Sequence, residues 1–223
     1  MSAARSPRGR ASKGQKIVIR YDAARCIHAA ECVGRQPAVF DPKRRPWIDP
    51  DAGDPDEIAA AIAHCPTGAL HFERLDDGAS EAVVAETTVS VQADGPLYVQ
   101  GDLRIADKSD EQDMAEVRAA FCRCGASENK PYCDGRHAKI EFRDPAALPD
   151  DAGQAEAVAE FGKAPVRFTI APNGPLLVEG VCALQGEDDT NARYIAKGAL
   201  CRCGQSGRKP LCDGSHVAAG FQG

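Results

Sequence analysis

One cysteine–histidine signature occurs twice in this chain. The first copy runs Cys122-Arg123-Cys124, eight residues, then Cys133-Asp134-Gly135-Arg136-His137. The second runs Cys201-Arg202-Cys203, eight residues, then Cys212-Asp213-Gly214-Ser215-His216. Each supplies three thiols and one imidazole, enough to complete the protein ligation of one metal centre. The copies repeat at a constant offset of 79 residues, which also carries Gly95-Pro96-Leu97 onto Gly174-Pro175-Leu176. A duplicated unit that keeps its ligand set through both copies makes metal binding the starting expectation.

Ten cysteines in a short secreted chain would read as disulfides. Here no apolar leader segment opens the sequence, and no run approaches the roughly 20 apolar residues that cross a membrane. The cysteines also stand in ligand spacings with histidines nearby. Metal-bound thiolates in a reducing, cytoplasmic setting are therefore expected, with no membrane partner. Aromatics are only 5% of the 223 residues, so small modules nucleated by metal sites fit better than one large core. The first twenty residues carry six basic side chains and no acid, so the rest of a chain of net charge −6 sums to −12. That acidic body argues against nucleic acid as a partner and suits docking on a basic patch of a redox protein. The Ala-, Arg- and Asp-rich composition points to a bacterium.

Cys-x-Cys-x8-Cys-Asp-Gly-x-His resembles the CDGSH iron–sulfur family, in which three cysteines and one histidine hold a [2Fe–2S] cluster. The resemblance implies two such clusters. Cys122 and Cys124 would hold an inner iron and Cys133 with His137 an outer one; the second copy would use Cys201 with Cys203 and Cys212 with His216. Lys130-Pro131 and Lys209-Pro210 also fit the family pattern. Arg136 departs from it, standing where the family has a small residue. Asp134 with Gly135, and Asp213 with Gly214, read as residues that shape the turn and orient the ligands, the aspartate as a cap and the glycine for close backbone approach.

A third constellation is Cys26, Cys32 and Cys65-Pro66. Bacterial ferredoxins use Cys-x2-Cys-x2-Cys with a distant Cys-Pro; with Ala29 at the middle position, three cysteines remain. That count suits [3Fe–4S], or [4Fe–4S] with another fourth ligand, for which His28 is the candidate. From Tyr21-Asp22 to Cys65-Pro66-Thr67-Gly68-Ala69-Leu70 the segment is similar to the divergent single-cluster ferredoxin family, which implies [4Fe–4S]. Cys182 has no partner spacing and reads as a buried apolar thiol.

These features predict an α+β chain: a small ferredoxin-like α+β domain followed by two β-rich CDGSH-type lobes, paired as an intrachain pseudo-dimer. The divisions are a disordered basic arm (1–15), the ferredoxin-like domain (16–76), the first CDGSH-type domain (87–143), a linker (144–160) and the second (161–223). In the first domain Ile17 to Tyr21 alternates as a strand. Asp54-Pro55 starts a helix with Ile58, Ala61 and Ile62 on one face, and Ala69 to Phe72 returns as a strand. A loop carries Cys26 and Cys32. In each later copy a Gly-Pro turn joins two short strands, and acidic inserts at 107–116 and 187–189 read as solvated loops.

The donors define the chemistry. Replacing thiolate by neutral imidazole raises a cluster's potential: two such replacements lift Rieske centres to about −150 to +300 mV, against about −400 mV for plant-type ferredoxins. One replacement falls between. The imidazole also makes the cluster acid-labile, because iron and proton compete for one lone pair. Zinc is the rival, but its modules space paired ligands by two to four residues rather than one. Without a nucleotide-binding glycine loop or a nucleophile elbow the chain does not read as an enzyme. The expected function is one-electron transfer between a reductase and an acceptor, by a monomer with internal pseudo-symmetry. The alternatives are cluster storage or transfer to apo iron–sulfur proteins, redox or pH sensing, or service as a non-catalytic oxidoreductase subunit.

Overall fold

Asp54 accepts hydrogen bonds from the amides of Asp56 and Glu57, and Pro55 begins the helix those bonds cap, Pro55–Ala63. The computed structural model describes residues 9–107, 113–153, 155–186 and 192–223. It divides into an amino-terminal unit ending at Ala82 and a carboxy-terminal unit from Val83 onward.

In the amino-terminal unit, β1 (Arg10–Lys13), β2 (Ile17–Tyr21) and β3 (Leu70–Arg74) form an antiparallel sheet in the order β1-β2-β3. Helix α1 (Glu31–Arg35) follows the first cysteine loop, and α2 is Pro55–Ala63. Ile58 and Ile62 of α2 pack with Ile17, Ile19, Phe40 and Leu70 in one buried cluster, and Ala61 on the same helix is buried too. Two expectations change here. Residues 10–13, assigned by composition to a disordered arm, pair as an edge strand, Arg10 opposite Tyr21 and Lys13 opposite Val18. Main-chain bonding holds them, so the polar side chains carry no sign of it. Cys32 sits in a helix rather than in a loop.

Among the described residues of the carboxy-terminal unit there are six strands: β4 (Thr88–Val91), β5 (Leu97–Asp107), β6 (Met114–Phe121), β7 (Val166–Ile170), β8 (Leu176–Gln185) and β9 (Arg193–Leu200). The expected hairpins β4–β5 and β7–β8 are present. Each has a third antiparallel strand, β6 on β5 and β9 on β8, which the Ala- and Arg-containing sequences did not announce. Met114–Glu116, expected in a solvated loop, begin β6; residues 108–112 and 187–189 of the acidic inserts lie outside the described residues.

Register shifts between Gln100 and Leu103, and between Glu179 and Cys182, bend β5 and β8 midway. Beyond the bend each strand leaves its own hairpin and pairs in parallel with the first strand of the other copy. Leu103 stands opposite Val166 through to Asp107 opposite Ile170, and Thr88 opposite Ala183 through to Ser90 opposite Gln185. At the 79-residue offset these two pairings are the same pairing read from either copy.

The interiors consequently merge. Val89, Leu97, Leu103, Ile105 and Phe121 from one copy share a cluster with Phe168, Leu176, Val178, Cys182 and Leu184 from the other. Phe121 stacks on Phe168 with 5.7 Å between ring centres. This corrects the expectation of small separate cores: a module of roughly 60 residues is marginal alone, and two pool the surface they bury. Ala146 and Ala152, in the segment between the copies, belong to the same cluster. Cys182 is fully buried there, and burial pushes its thiol up to about 12.

Asp144 fixes this segment. Its carboxylate pairs with the buried Arg123 guanidinium, and its amide donates to Asp94 Oδ1 at 2.7 Å. Asp144→Ala is expected to lower the unfolding free energy of the carboxy-terminal unit by about 3 kcal/mol, the cost of leaving a buried charge without its partner. Urea unfolding measures this; a loss below about 1 kcal/mol would show that the pair is not needed.

Candidate metal centres

Strand β6 ends at Phe121 and delivers Cys122 to a loop that folds back on it. Cys122 N–H donates to Pro131 at 2.8 Å, and Cys133 N–H donates to Ala120 at 2.8 Å. Ser127 Oγ closes the loop on the carbonyl of Tyr132 at 2.7 Å. Cys201 and Cys212 are placed the same way, by bonds to Pro210 and Ala199, and Ser206 repeats the closure on Leu211 at 2.6 Å.

The donors come together in pairs. Cys122 Sγ and Cys124 Sγ are 3.7 Å apart, and Cys133 Sγ and His137 Nδ1 are 3.3 Å apart. The second copy gives 3.6 Å for Cys201 with Cys203 and 3.4 Å for Cys212 with His216 Nδ1. A tetrahedral metal with sulfur bonds of about 2.3 Å separates two thiolates by about 3.8 Å, so each pair has the bite of one metal atom. Among the described residues, no three His, Cys, Asp or Glu side chains converge as a single ion would need. Paired donors suit a two-metal group better than a mononuclear ion.

Helices α3 (Arg136–Lys139) and α4 (Ser215–Ala218) carry the histidines. Each follows a glycine with φ near 90°, Gly135 and Gly214, a backbone that other residues rarely adopt. Asp134 accepts from the amides of Glu128 at 2.9 Å and Arg136 at 3.1 Å; Asp213 accepts from Gly207 at 2.7 Å and Ser215 at 3.0 Å. The aspartate therefore joins loop to helix, as a cap does. Burial works against its charge, but these amides and Arg136 hold the Asp134 carboxyl below its ordinary range. The Ser215 hydroxyl and the surrounding amides depress Asp213 further.

Arg123 and Arg202, each between two paired cysteines, are almost wholly buried. Arg123 Nε donates to Gly95 at 2.9 Å, and Arg202 Nε donates to Gly174 at 2.8 Å. Each guanidinium also lies over an aromatic ring, Phe142 at 5.1 Å and Phe221 at 5.4 Å. They tie the cysteine loops to the Gly-Pro turns. The two loops also meet: Cys124 and Cys203 form an antiparallel bridge. A Cβ on Gly125 would stand 2.6 Å from the Cys203 carbonyl oxygen, and one on Gly204 2.8 Å from that of Cys124.

The remaining candidates surround a cavity of about 450 Å³ in the amino-terminal unit, lined by Cys26, Cys32, Cys65 and His28 with Tyr21 and Trp47 above the core. Asp22 caps the turn before Cys26, accepting from Ala24 N at 3.0 Å. His28 and Ala30 take left-handed backbone, φ 59° and 62°, and turn the loop around the cavity. Burial pushes the Cys32 thiol up to about 11, helped by Cys65 and Cys26. Burial and a hydrogen bond with Cys26 likewise raise Tyr21. Two half-buried thiols and one buried thiol around a single cavity fit a cationic iron core, which would relieve the cost of ionising Cys32 there.

The comparisons agree with this division. Residues 12–74 match the family model described as divergent 4Fe-4S mono-cluster, and residues 94–138 and 173–217 match the one described as iron-binding zinc finger, CDGSH type. The uncharacterized protein YjdI of Escherichia coli K12 is 39% identical over 59 residues, 26% of this chain and 78% of that protein. The CDGSH iron-sulfur domain-containing protein 2 homolog of Drosophila erecta is 50% identical over 41 residues, 18% of this chain and 30% of its own length. That of Drosophila sechellia is 53% identical over 34 residues, covering 15% and 25%. The chain thus spans less than a third of these fly proteins. No solved structure matches it.

In the first copy a hydrogen bond joins Cys122 Sγ and Cys124 Sγ. That bond brings the Cys122 thiol down to about 6 against the opposing effect of burial, while Cys124 is raised. A depressed acid stabilises the fold fully above its unfolded value of 9.0 and ceases to do so as pH falls through about 6. In metal-free protein, one thiolate from this pair is expected to appear by ultraviolet absorbance near pH 6. Cys124→Ala should move it up by more than one unit; an unmoved titration would show that this bond does not lower it.

Proposed function

This chain belongs to the divergent 4Fe-4S mono-cluster family through residues 12–74 and carries two CDGSH-type modules, and on that premise we propose that it is an iron–sulfur electron carrier. The observation that carries the reading is the pairing of donors at 3.3–3.7 Å in both copies, two donors for each of two metal atoms. In this reading Cys122 with Cys124, and Cys201 with Cys203, hold the inner iron of a [2Fe–2S] cluster. Cys133 with His137, and Cys212 with His216, hold the outer one. Cys26, Cys32 and Cys65 hold a [4Fe–4S] or [3Fe–4S] cluster in the 450 Å³ cavity, with His28 at hand for a fourth position. Clusters at these places supply one-electron couples.

The protein residues then do three things. The thiolates fix the clusters to strand ends and short loops. His137 and His216, ligated through the Nδ1 that faces the cysteine, leave the second ring nitrogen to exchange a proton. Arg123 and Arg202 place a buried positive charge behind each inner pair. The reciprocal pairings β4–β8 and β5–β7 support an intrachain pseudo-dimer, so a second chain is not needed to complete either centre. No helix among the described residues is long and apolar enough to cross a membrane. In this reading the carrier is cytoplasmic, has no catalytic residues of its own and docks by its acidic surface on basic redox partners, which the net charge of −6 supports. Cluster delivery to an apo protein is the second reading, favoured by the half-exposed outer pair Cys212 and His216.

Cycles of reduction and reoxidation test the choice. A carrier is expected to recover its visible spectrum without loss of iron, whereas bleaching with iron release on each cycle would contradict carriage and favour delivery. His216→Cys is expected to lower the potential of one [2Fe–2S] centre, because thiolate adds negative charge, and to slow its loss in acid. Unchanged acid stability at that centre would remove His216 as the labile ligand.

A further inference from the structure

We propose that the two duplicated centres are held unequally, and that the second, at Cys212 and His216, is the one that opens. The inference rests on the assignment of both centres as cluster sites. The copies share every donor and the aspartate that joins loop to helix. They differ in the ion pairs around them.

In the first copy Arg136, beside His137, bridges the carboxylates of Glu128 and Asp134, the latter at 3.4 Å. Glu128 lies in the loop before Cys133, and Arg136 begins α3. The guanidinium therefore closes the stretch of chain that carries both outer donors. The equivalent positions of the second copy are Gly207 and Ser215, which carry no charge. Arg208, next to Gly207, turns instead to Asp151 at 2.6 Å.

Two more differences have the same sign. Arg143 pairs with Asp94 at 3.7 Å, where the second copy has Gln222 and Asn173. Arg123 meets the carboxylate of Asp144, where Arg202 donates to the main-chain carbonyl of Gly223 at 2.9 Å. Exposure follows the clamp: Cys133 is buried and Asp134 half-buried, whereas Cys212 is half-buried and Asp213 exposed.

Opening breaks the bonds from the outer iron to Cys212 Sγ and His216 Nδ1. The vacated coordination positions pass to the donors of the incoming chelator, each released side chain takes a proton from solvent, and no electron changes hands. Ion pairs of this kind each shift an opening equilibrium by about two- to fivefold.

The test follows the visible absorbance of the cluster-loaded full chain in excess EDTA at fixed neutral pH. Two phases are expected from the duplicated centres, the fast one absent in Cys212→Ser and the slow one absent in Cys133→Ser, with rates about fivefold apart. A phase present in both variants belongs to the amino-terminal site. Exchanging the clamp reads the cause in both directions. Ser215→Arg with Gly207→Glu should slow the fast phase, and Arg136→Ser with Glu128→Gly should quicken the slow one. Position 207 has room for a side chain, its nearest neighbour to a built Cβ being Asp213 at 3.6 Å. Equal rates, a fast phase that belongs to Cys133, or clamp variants that change neither rate would overturn the proposal. A purified chain with no sulfide and no colour would instead overturn the cluster assignment beneath it.

Discussion

Two guanidinium groups buried beside cysteine pairs set the terms for the rest of the carboxy-terminal unit. A cation taken out of water costs several kcal/mol unless its hydrogen bonds and its charge are answered. Arg123 and Arg202 answer the first need with the carbonyls of the Gly-Pro turns, and in the first copy Asp144 answers the second. Each arginine fixes the turn against the loop, and the loop fixes the cysteines.

The sheet does the remaining positioning. Because β5 and β8 bend and cross to the other copy, neither module has a core of its own, and both cysteine loops are presented by one body. Cys124 and Cys203 touch through their main chains, so the two inner ligand pairs share a wall. The amino-terminal site is built differently, from a loop with left-handed residues around a cavity, and depends on none of these contacts.

What could be read in the sequence was local. Cys-x-Cys and Cys-Asp-Gly-x-His bring donors together over a few residues, and Asp54-Pro55 caps its helix from within one turn. The pairing of Leu103 with Val166 joins distant segments by main-chain bonds, to which side chains give little clue. Arg10–Lys13 hides as a strand for the same reason. The burial of Arg123 was obscured by its charge. The one signal available was its repetition at position 202, and Ser127 with Ser206 repeats in the same way.

Iron and acid-labile sulfide per chain, measured on anaerobically purified protein beside its visible spectrum, test the central assignment most directly. About seven or eight irons with matching sulfide are expected, the sum of two binuclear centres and one cuboidal centre. Stoichiometric zinc without sulfide or colour would contradict it and leave the duplicated lobes as structural modules.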